Sequence, residues 1–476
     1  MPAPSAERDR RWTALGFIAL AQLMVALDAT VVSIALPSVQ RALHFSDAQR
    51  QWVITAYTLP FAGLLLLGGR IADSIGRKRA FLIGLTGFAL ASAAGGAAPD
   101  LATLALARAA QGAFAALLSP TALSLLAVTF TEPRERAKAF AIYGGIAGSG
   151  GAVGLVLGGA LTFAGNWRWC LYVNVAIALV AIAGARRTLA DMPGSGPLRA
   201  DVPGVLLVTL GMVSAIYGCT RAVALGWGSA TVLALLGAAV VLLALFVVQE
   251  ARSATPLLPL HIVADRTRGG AALCAALAIV GMFGLFLLLT YYFQVVLHYS
   301  PLRAGLAFLP MTAASLFGST ALATRLLPHV QPRAIMAPGL LVAACGMALL
   351  TRIDADSRYL TDILPAEIAV GFGIGCTMIT VFSVGTQRVA PREAGVASAS
   401  INAAQQFGGS MGTALLNTIA ASASAGYAAT RAAEPRLAAL VHGYATAAGW
   451  AAGILTVAAA LAALLVTGRA SSARQT

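Results

Sequence analysis

Long runs of hydrophobic residues, separated by short polar stretches, follow one another along almost the whole chain. An α-helix needs about 20 apolar residues to cross the hydrocarbon core of a bilayer. The pattern therefore predicts an all-α polytopic membrane protein with 14 transmembrane helices. The predicted spans are 13–36, 50–69, 80–98, 101–128, 138–161, 167–186, 203–223, 229–249, 269–293, 303–325, 334–351, 360–386, 395–421 and 444–467.

The composition agrees with this pattern and excludes several classes of protein. Of 476 residues, 59% are hydrophobic and 11% are charged, and the mean hydropathy is +0.82, which is too apolar for an ordinary soluble protein. The five cysteines lack paired spacing, so we expect neither a disulfide framework nor a metal site. No GxxxxGK[ST] loop and no large soluble segment is present. We therefore expect no cofactor and no enzymatic activity, and energy from an ion gradient.

The net charge of the chain is +14, and its Lys and Arg residues are divided unequally between the two predicted sides of the membrane. With the N-terminus inside, 22 of the 32 Lys and Arg residues fall in cytoplasmic segments, which is the positive-inside bias of membrane proteins and not a nucleic-acid-binding stripe. The first span is too long for a signal-peptide core, so we interpret it as an uncleaved helix. We expect a multi-pass protein of the cell membrane, in contact with the lipid bilayer, with both termini cytoplasmic, no nucleic-acid partner and a monomeric state.

An internal repeat relates the two ends of the chain. The segment 46–60 is similar to 300–310, and the glycines at 150–154 recur at 408–412, with offsets of 254 to 258 residues. The repeat predicts two six-helix bundles, 1–190 and 263–476. They are joined by a linker, 191–262, that carries a hairpin of helices 7 and 8. Secondary transporters use such duplication for alternating access.

Three motifs resemble signatures of one family. GGRIADSIGRKRAF at 68–81, LDATVVSIALPSV at 27–39 and ARAAQGAF at 107–114 resemble the loop 2–3, helix 1 and helix 4 signatures of the major facilitator superfamily, in its fourteen-helix drug:proton antiporter branch. The resemblance implies the major facilitator fold and proton-coupled export of hydrophobic or cationic organic compounds, as in drug and antibiotic efflux. A proton-coupled importer, an exporter of one natural product or metabolite, and a small-molecule-gated receptor or channel remain alternatives.

The loop motif contains the candidate gating residues Gly69, Asp73, Gly76, Arg77 and Lys78. The two glycines permit a tight reversal, the carboxylate can cap a helix, and the basic residues stay on the cytoplasmic face. The resemblance implies a gate latch that Asp73 closes, although a basic loop that only sets topology is the alternative. Ser74 stands where the family usually has another basic residue.

Helix 5 carries glycines at four-residue spacing, Gly150, Gly154 and Gly158, which allow another helix to approach closely. The segment resembles the antiporter signature of the family. Gly151 and Leu155 stand where that signature has prolines, so close helix packing alone is the alternative interpretation.

Three embedded charges are the candidates for proton coupling: Asp28, Arg108 and Glu367. A carboxylate costs roughly 2.5 to 3.5 kcal/mol at the centre of a membrane helix. Asp28 and Arg108 lie about 12 Å and about 10 Å from the outer ends of their helices, so we expect them to pair or to face a wet cavity. Family resemblance implies a coupling role, whereas a pair that only fixes helix register is the alternative. Glu367 follows Arg108 by the repeat offset and lies either across the cavity or at the wet outer end of helix 12.

The resemblance implies that a substrate cavity is lined by helices 1, 2, 4 and 5 and by their counterparts 9, 10, 12 and 13. Their polar and aromatic side chains are therefore the candidate contacts for a small-molecule substrate. Packing or a position at the lipid interface is the alternative for single aromatics. These candidates are Gln22, Tyr57, Gln111, Tyr143, Tyr291, Tyr292, Asn402, Gln405 and Gln406.

Overall fold

The computed structural model describes residues 5–191, 193–194, 201–253, 256, 264–327, 329–386, 394–431 and 436–467, and in this part of the chain it is helical without strands. Residues 192, 195–200, 254–255 and 257–262 of the predicted linker, and the chain beyond residue 467 that is predicted to be a cytoplasmic tail, lie outside these residues. The helices are α1 Ser5–Leu43, α2 Asp47–Ile75, α3 Arg77–Gly96, α4 Leu101–Thr129, α5 Pro133–Ala164, α6 Trp169–Thr188, α7 Val202–Leu225, α8 Ala230–Arg252, α9 Arg266–Tyr291, α10 Pro301–Leu326, α11 Arg333–Arg352, α12 Tyr359–Gly385, α13 Ala394–Thr430 and α14 Arg436–Leu465.

The structure supports part of the predicted set of fourteen membrane spans, and the count of fourteen stays a prediction. Among the described residues, 11 helices are long and apolar enough to cross a bilayer. There are 12 if Trp52–Leu65 and Leu67–Ile75, which meet at a bend of 58°, count as one span. The helices α5 and α13 are not among these spans, and over the described residues α5 contributes a shorter apolar helix, Val153–Ala164.

The chain divides into two compact units. Unit 1 comprises Met1–Leu210, Val248–Leu257 and Ser300–Leu306, and unit 2 comprises Gly211–Val247, Leu258–Tyr299 and Ala307–Thr476. The predicted hairpin α7–α8 is divided between them.

The helix pairings within the two units follow the internal repeat. In unit 1, α1 packs on α5 and α6, α2 on α4, and α3 on α4 and α6. In unit 2, α9 packs on α13 and α14, α10 on α12, and α11 on α12 and α14. Each pairing in unit 2 is the one expected by adding eight to the helix numbers of unit 1. The six-helix pattern is thus present twice.

Glycines make the closest of these contacts. A Cβ added at Gly158 on α5 would lie 2.9 Å from the Cα of Val31 on α1, and one at Gly150 would lie 2.8 Å from the Cβ of Ala26. In unit 2, a Cβ at Gly412 on α13 would lie 2.5 Å from the Cα of Val280 on α9. Neighbouring helix backbones therefore touch where a side chain would hold them apart.

Short connections define the two ends of unit 1. The connections 44–46, 97–100 and 165–168 form one end, which we name the Asp100 end, and the turn at Gly76 marks the opposite, Gly76 end. Asp100 accepts a hydrogen bond from the backbone N–H of Thr103 at 2.8 Å, which caps α4 and lowers the pKa of Asp100 below its usual value.

The turn between α2 and α3 consists of one residue. Gly76 has a φ of 95°, a conformation that favours glycine, and it separates the two helices. Gly69 was expected to share this reversal but lies inside α2, so that expectation was wrong. Asp73 in the last turn of α2 forms an ion pair with Arg77 at 3.2 Å, and Lys78 pairs with Asp191 at 3.1 Å.

Candidate functional site

A buried polar cluster lies in the interior of unit 1. Its centre is the ion pair between Asp28 on α1 and Arg108 on α4, with Arg108 Nη1 donating to Asp28 Oδ2 at 2.5 Å. The side chains are 0% and 2% exposed, respectively, so neither charge contacts lipid or bulk solvent. We name as the Asp28 cluster the residues Asp28, Tyr57, Ser92, Arg108, Gln111 and Asn174.

The second oxygen of Asp28 is satisfied by two side-chain amides. Gln111 Nε2 donates to Oδ1 at 3.1 Å and Asn174 Nδ2 donates to it at 2.7 Å. Gln111 also accepts a bond from Arg108 Nη1 at 3.1 Å and donates to Ser92 Oγ at 2.7 Å. Three N–H donors from α4 and α6 therefore surround the Asp28 carboxylate.

Arg108 is fixed by backbone and aromatic contacts as well. Its Nε donates to the carbonyl of Val53 on α2 at 3.1 Å, and its Cζ lies 4.4 Å from the centre of the Tyr57 ring. Tyr57 can approach because Gly112 on α4 has no side chain, and a Cβ there would collide with the Tyr57 carbonyl. Tyr57 and Gln111, two candidate substrate contacts, thus belong to the ion-pair cluster in this structure.

Glu367 occupies a different environment in unit 2. It is 0% exposed, so its carboxyl group is shielded from solvent. Its Oε2 lies 3.3 Å from the hydroxyl of Tyr359, which donates to the carbonyl of Ala307 at 2.7 Å. Its Oε1 has no hydrogen-bond partner among the described residues. The ring of Tyr359 packs edge-on against Phe293.

The remaining candidate substrate contacts fall into separate groups. Tyr143 on α5 donates to Gln22 on α1 at 2.6 Å. Tyr292, at the end of α9, donates to the carbonyl of Asp354 at 2.6 Å, and its neighbour Tyr291 is buried. On α13, the half-buried side chains are Asn402, Gln405 and Gln406, and Gln405 Nε2 lies 3.7 Å from the sulfur of Met378.

Four members of these sites were not predicted from the sequence: Ser92, Asn174, Tyr359 and the carbonyl of Val53. Asn174 had a detectable signal, since it is an amide inside the apolar segment WCLYVNVAIALV of α6. The signal for Tyr359 was weaker and consisted only of its position two helical turns before Glu367.

Among the described residues, no group of three or more His, Cys, Asp and Glu side chains is arranged to bind a metal ion.

Comparison with known proteins identifies the family. Residues 18–413 match the family model of the Major Facilitator Superfamily, and the chain therefore belongs to that superfamily. It is a multi-pass membrane transporter and not an enzyme. As in other members, one chain binds and moves a small molecule.

The most similar curated relatives include antibiotic resistance and export proteins. The chain is 51% identical to the puromycin resistance protein of Streptomyces alboniger, covering 98% of this chain and 93% of the relative. It is 39% identical to the cephamycin export protein of Amycolatopsis lactamdurans, covering 87% of this chain and 86% of the relative. A solved bacterial homolog of the human lysosomal transporter Spinster has the same fold, with a TM-score of 0.68, 18% identity and coverage of 96% and 97% of the two chains.

Proposed function

We propose that this protein is a proton-coupled exporter of hydrophobic or cationic antibiotics that works by alternating access in the cell membrane. The observation that carries the coupling is the Asp28–Arg108 pair, because it is a protonatable carboxylate held by donors on two other helices. The proposal includes fourteen spans, a monomer, and both termini and the Gly76 end in the cytoplasm. The Asp100 end then faces outward.

Protonation of Asp28 changes the contacts of α1. A proton on Asp28 removes the charge attraction to Arg108, which remains a cation because the guanidinium does not deprotonate in proteins. The helix α1 is then held less tightly to α4. Because α1 touches the α5 backbone at Gly150 and Gly158, a displacement of α1 also moves α5. The proton state of one buried carboxylate is thereby linked to the arrangement of α1, α4 and α5.

Arg108 and Glu367 complete the proposed coupling elements. Arg108 stabilises the charged form of Asp28, and Glu367 is a second protonatable carboxyl with a smaller contribution. The loop of Gly69, Asp73, Gly76, Arg77 and Lys78 acts as the gate latch through its two ion pairs.

The identity of the relatives supports the substrate class. The puromycin resistance protein shares half of its residues with this chain, which makes puromycin the first compound to test. Relatives named for single compounds, such as cephamycin, also favour an exporter dedicated to one natural product. Proposed substrate contacts are Gln22, Tyr143 and the α13 amides Asn402, Gln405 and Gln406.

The test uses inverted membrane vesicles, in which export appears as uptake into the lumen. We expect puromycin uptake when the lumen is acidified, and collapse of uptake when an ionophore removes the pH gradient. A panel that includes a cephamycin distinguishes a broad exporter from a dedicated one. Uptake that is unaffected by loss of the gradient would contradict proton coupling, while uptake of none of the panel would contradict the substrate class.

A further inference from the structure

Helix α2 bends sharply, and the bend divides it into two parts. Trp52–Leu65 and Leu67–Ile75 meet at 58°, and we name Leu67–Ile75, which leads to the turn at Gly76, the second part of α2. Sharp bends arise at prolines, at small residues, at π-helical turns or where a side chain binds to a carbonyl of the helix. Pro60 lies more than one turn before the bend, and the hydrogen bond that it removes would run back to Ala56. Pro60 therefore does not account for the position of the bend.

The hydroxyl of Thr209 on α7 binds to α2 beside this bend. Thr209 Oγ1 donates to the carbonyl of Gly63 at 2.9 Å. In a regular α-helix that carbonyl accepts from the N–H of Leu67, which is the first residue of the second part. Gly63 allows the close approach, because a Cβ there would lie 3.1 Å from Thr209 Cγ2. A side chain of α7 therefore contacts α2 at the point where α2 changes direction.

The hydrogen bond of Thr209 connects two helices, whereas threonines inside helices commonly donate to a carbonyl of their own helix. Thr121 on α4 donates to the carbonyl of Leu117 at 2.5 Å, and Thr377 on α12 donates to that of Gly373 at 2.8 Å. Thr209 donates instead to a residue 146 positions away in the sequence. A hydrogen bond between apolar helices fixes the place at which they meet.

A second contact joins the hairpin α7–α8 to the second part of α2. Arg70 Nη2 donates to the carbonyl of Pro256, which follows α8. The base of the hairpin is itself held together, because Gln249 near the end of α8 donates to Asp201 at the start of α7 at 3.0 Å. All of these residues and Thr209 belong to unit 1. The hairpin therefore holds α2 on both sides of the bend.

The second repeat departs from regular α-helical geometry at the same place. Adding the repeat offset of 254 to the bend at residue 66 gives residue 320, and α10 is π-helical over Phe317–Ala323. There the hydroxyls belong to α10 itself, since Ser319 Oγ and Thr320 Oγ1 donate to the carbonyl of Leu316 at 3.0 Å and 2.6 Å. Irregular turns of this kind often occur at functional sites. Both repeats thus have an irregular turn, and in the first repeat the hydroxyl comes from α7.

We propose that Thr209 is a positioning residue that holds the bend of α2, so that the hairpin α7–α8 controls the gate latch at the Gly76 end. The second part of α2 carries Asp73 and ends at the Gly76 turn, so a change of the angle at the bend moves the latch. Release of the hydroxyl lets α2 straighten, and the bent and straight forms belong to different conformations of the transport cycle. The inference rests on the proposed alternating access and assigns a role to the hairpin.

The first test measures the bend directly. Spin labels are attached to keto amino acids introduced at Gln49 and Ser74, so that the native cysteines stay unlabelled. Straightening the bend of 58° lengthens the distance between the two labelled positions by about 4 Å. We expect this shift in Thr209→Val, which replaces the hydroxyl by a methyl group of similar size. Thr209→Ser keeps the hydroxyl and should keep the wild-type distance.

The same substitutions are compared in transport by inverted vesicles. We expect Thr209→Val to bind puromycin as the wild type does and to turn over about three- to tenfold more slowly, which is the range for loss of one hydrogen bond. Thr209→Ser should transport at the wild-type rate. Thr121→Val is the matched control, because the Thr121 hydroxyl donates within its own helix, and it should keep both the wild-type distance and the wild-type rate.

The second test changes the contact from the side of α2. The Cβ of Gly63→Ala would lie 3.1 Å from Thr209 Cγ2, so α7 is pushed away from the bend. Serine lacks that methyl carbon, and the next nearest atoms of Thr209 are 3.5 Å and 3.6 Å away. We therefore expect Gly63→Ala to slow turnover, and Gly63→Ala with Thr209→Ser to recover to within about twofold of the wild type. Recovery in the double variant shows that the single variant was not simply misfolded.

The outcomes separate the role of Thr209 from the proposed function. An unchanged distance in Thr209→Val, or equal losses of transport in Thr209→Val and Thr209→Ser, overturns the role of the hydroxyl. A changed distance with wild-type turnover overturns the link to the gate latch. The distances require neither substrate nor a pH gradient, so they test Thr209 even if the wild type shows no gradient-driven uptake, which would refute the proposed function itself.

Discussion

Asp28 and Glu367 are both completely buried carboxyl groups on apolar helices, one in each unit, and their surroundings differ in kind. Asp28 accepts hydrogen bonds from a guanidinium and two amides. Glu367 has one contact with a tyrosine hydroxyl, and one of its oxygens has no partner among the described residues. The first environment stabilises a negative charge, and the second does not.

The backbone around the two sites is nevertheless alike. Gly112 on α4 abuts the carbonyl of Tyr57 on α2, and Gly371 on α12 abuts the carbonyl of Met311 on α10. The Val53 carbonyl accepts from Arg108, and the Ala307 carbonyl, 254 residues later, accepts from Tyr359. The repeat therefore preserves how the helices touch, while different side chains fill the same place.

The difference extends to the strength of the hydrogen bonds. The hydroxyl of Tyr359 donates to the carbonyl of Ala307 at 2.7 Å, and its contact with Glu367 Oε2 is longer, at 3.3 Å. Glu367 thus has one long contact with a neutral hydroxyl, whereas Asp28 has a guanidinium and two amides within 3.1 Å.

The largest predicted effect is the contrast between Asp28→Asn and Glu367→Gln in transport. An amide keeps the shape of the acid but cannot take up and release a proton. We expect Asp28→Asn to abolish gradient-driven puromycin uptake while the protein inserts normally. Glu367 has one long contact with the hydroxyl of Tyr359, so we expect Glu367→Gln to retain activity within about threefold of the wild type. Equal losses in the two variants would remove the distinction between the sites.

Asp100→Asn is the matched control for the loss of a carboxylate, because Asp100 lies outside the spans and Asn also caps helices well. Its uptake should equal that of the wild type. A further measurement follows proton release on addition of puromycin. If the Asp28→Asn protein still releases protons, Asp28 is not the coupling residue.

The second prediction compares pairwise interactions by double-mutant cycles. Loss of one partner from a buried ion pair costs about 3 to 5 kcal/mol, because the other charge is left alone. In detergent, we therefore expect Asp28→Asn and Arg108→Gln to be coupled by at least about 2 kcal/mol, with the double variant more stable than the sum of the single changes implies. For Glu367→Gln with Tyr359→Phe, we expect coupling below about 1 kcal/mol. Similar values for the two cycles would mean that the two environments do not differ energetically.

The third prediction tests the shared scaffold. Gly158→Ala and Gly412→Ala each place a Cβ against the backbone of a facing helix, which should destabilise both variants by about 1 to 3 kcal/mol. The controls are Gly151→Ala on α5, where the nearest atom is 3.9 Å away, and Gly426→Ala on α13, where no atom is within 4 Å. These should be neutral or slightly stabilising. Thermal unfolding in detergent gives the four values, and a loss in one unit alone would contradict an equivalent scaffold.

Sequence reasoning predicted the helices and the central ion pair for clear physical reasons. Hydrophobic runs of sufficient length indicate spans, and the rise per residue placed Asp28 and Arg108 at matching depth, where the structure joins them. The motif glycines indicated close contacts, which exist at Gly150 and Gly158. These inferences used only distances along single helices.

The partners on other helices could not be predicted in the same way. A helix that is apolar on all sides gives no periodic signal for the face it turns toward its neighbours. The sequence therefore did not show that Asn174 of α6 and Ser92 of α3 meet the residues of α1 and α4, or that Gln111 and Tyr57 belong to the same cluster. The number of spans also stays a prediction, because 11 or 12 of the described helices are long and apolar enough to cross a bilayer.

The smallest expected effect on stability concerns the loop at the Gly76 end. The first repeat has one acidic residue there, Asp73, and the second repeat has none between 324 and 333. Asp73 and Arg77 are half-exposed, and such ion pairs contribute only about 0 to 1 kcal/mol. We expect Asp73→Ala to leave the melting temperature and puromycin binding unchanged but to slow turnover several-fold, because a latch contact matters in one conformation only. Arg325→Ala, in the last turn of α10 at the corresponding place in the second repeat, serves as the control and should transport at the wild-type rate. Wild-type turnover of Asp73→Ala, with unchanged labelling of cysteines placed on either side of the membrane, would show that the loop only sets topology.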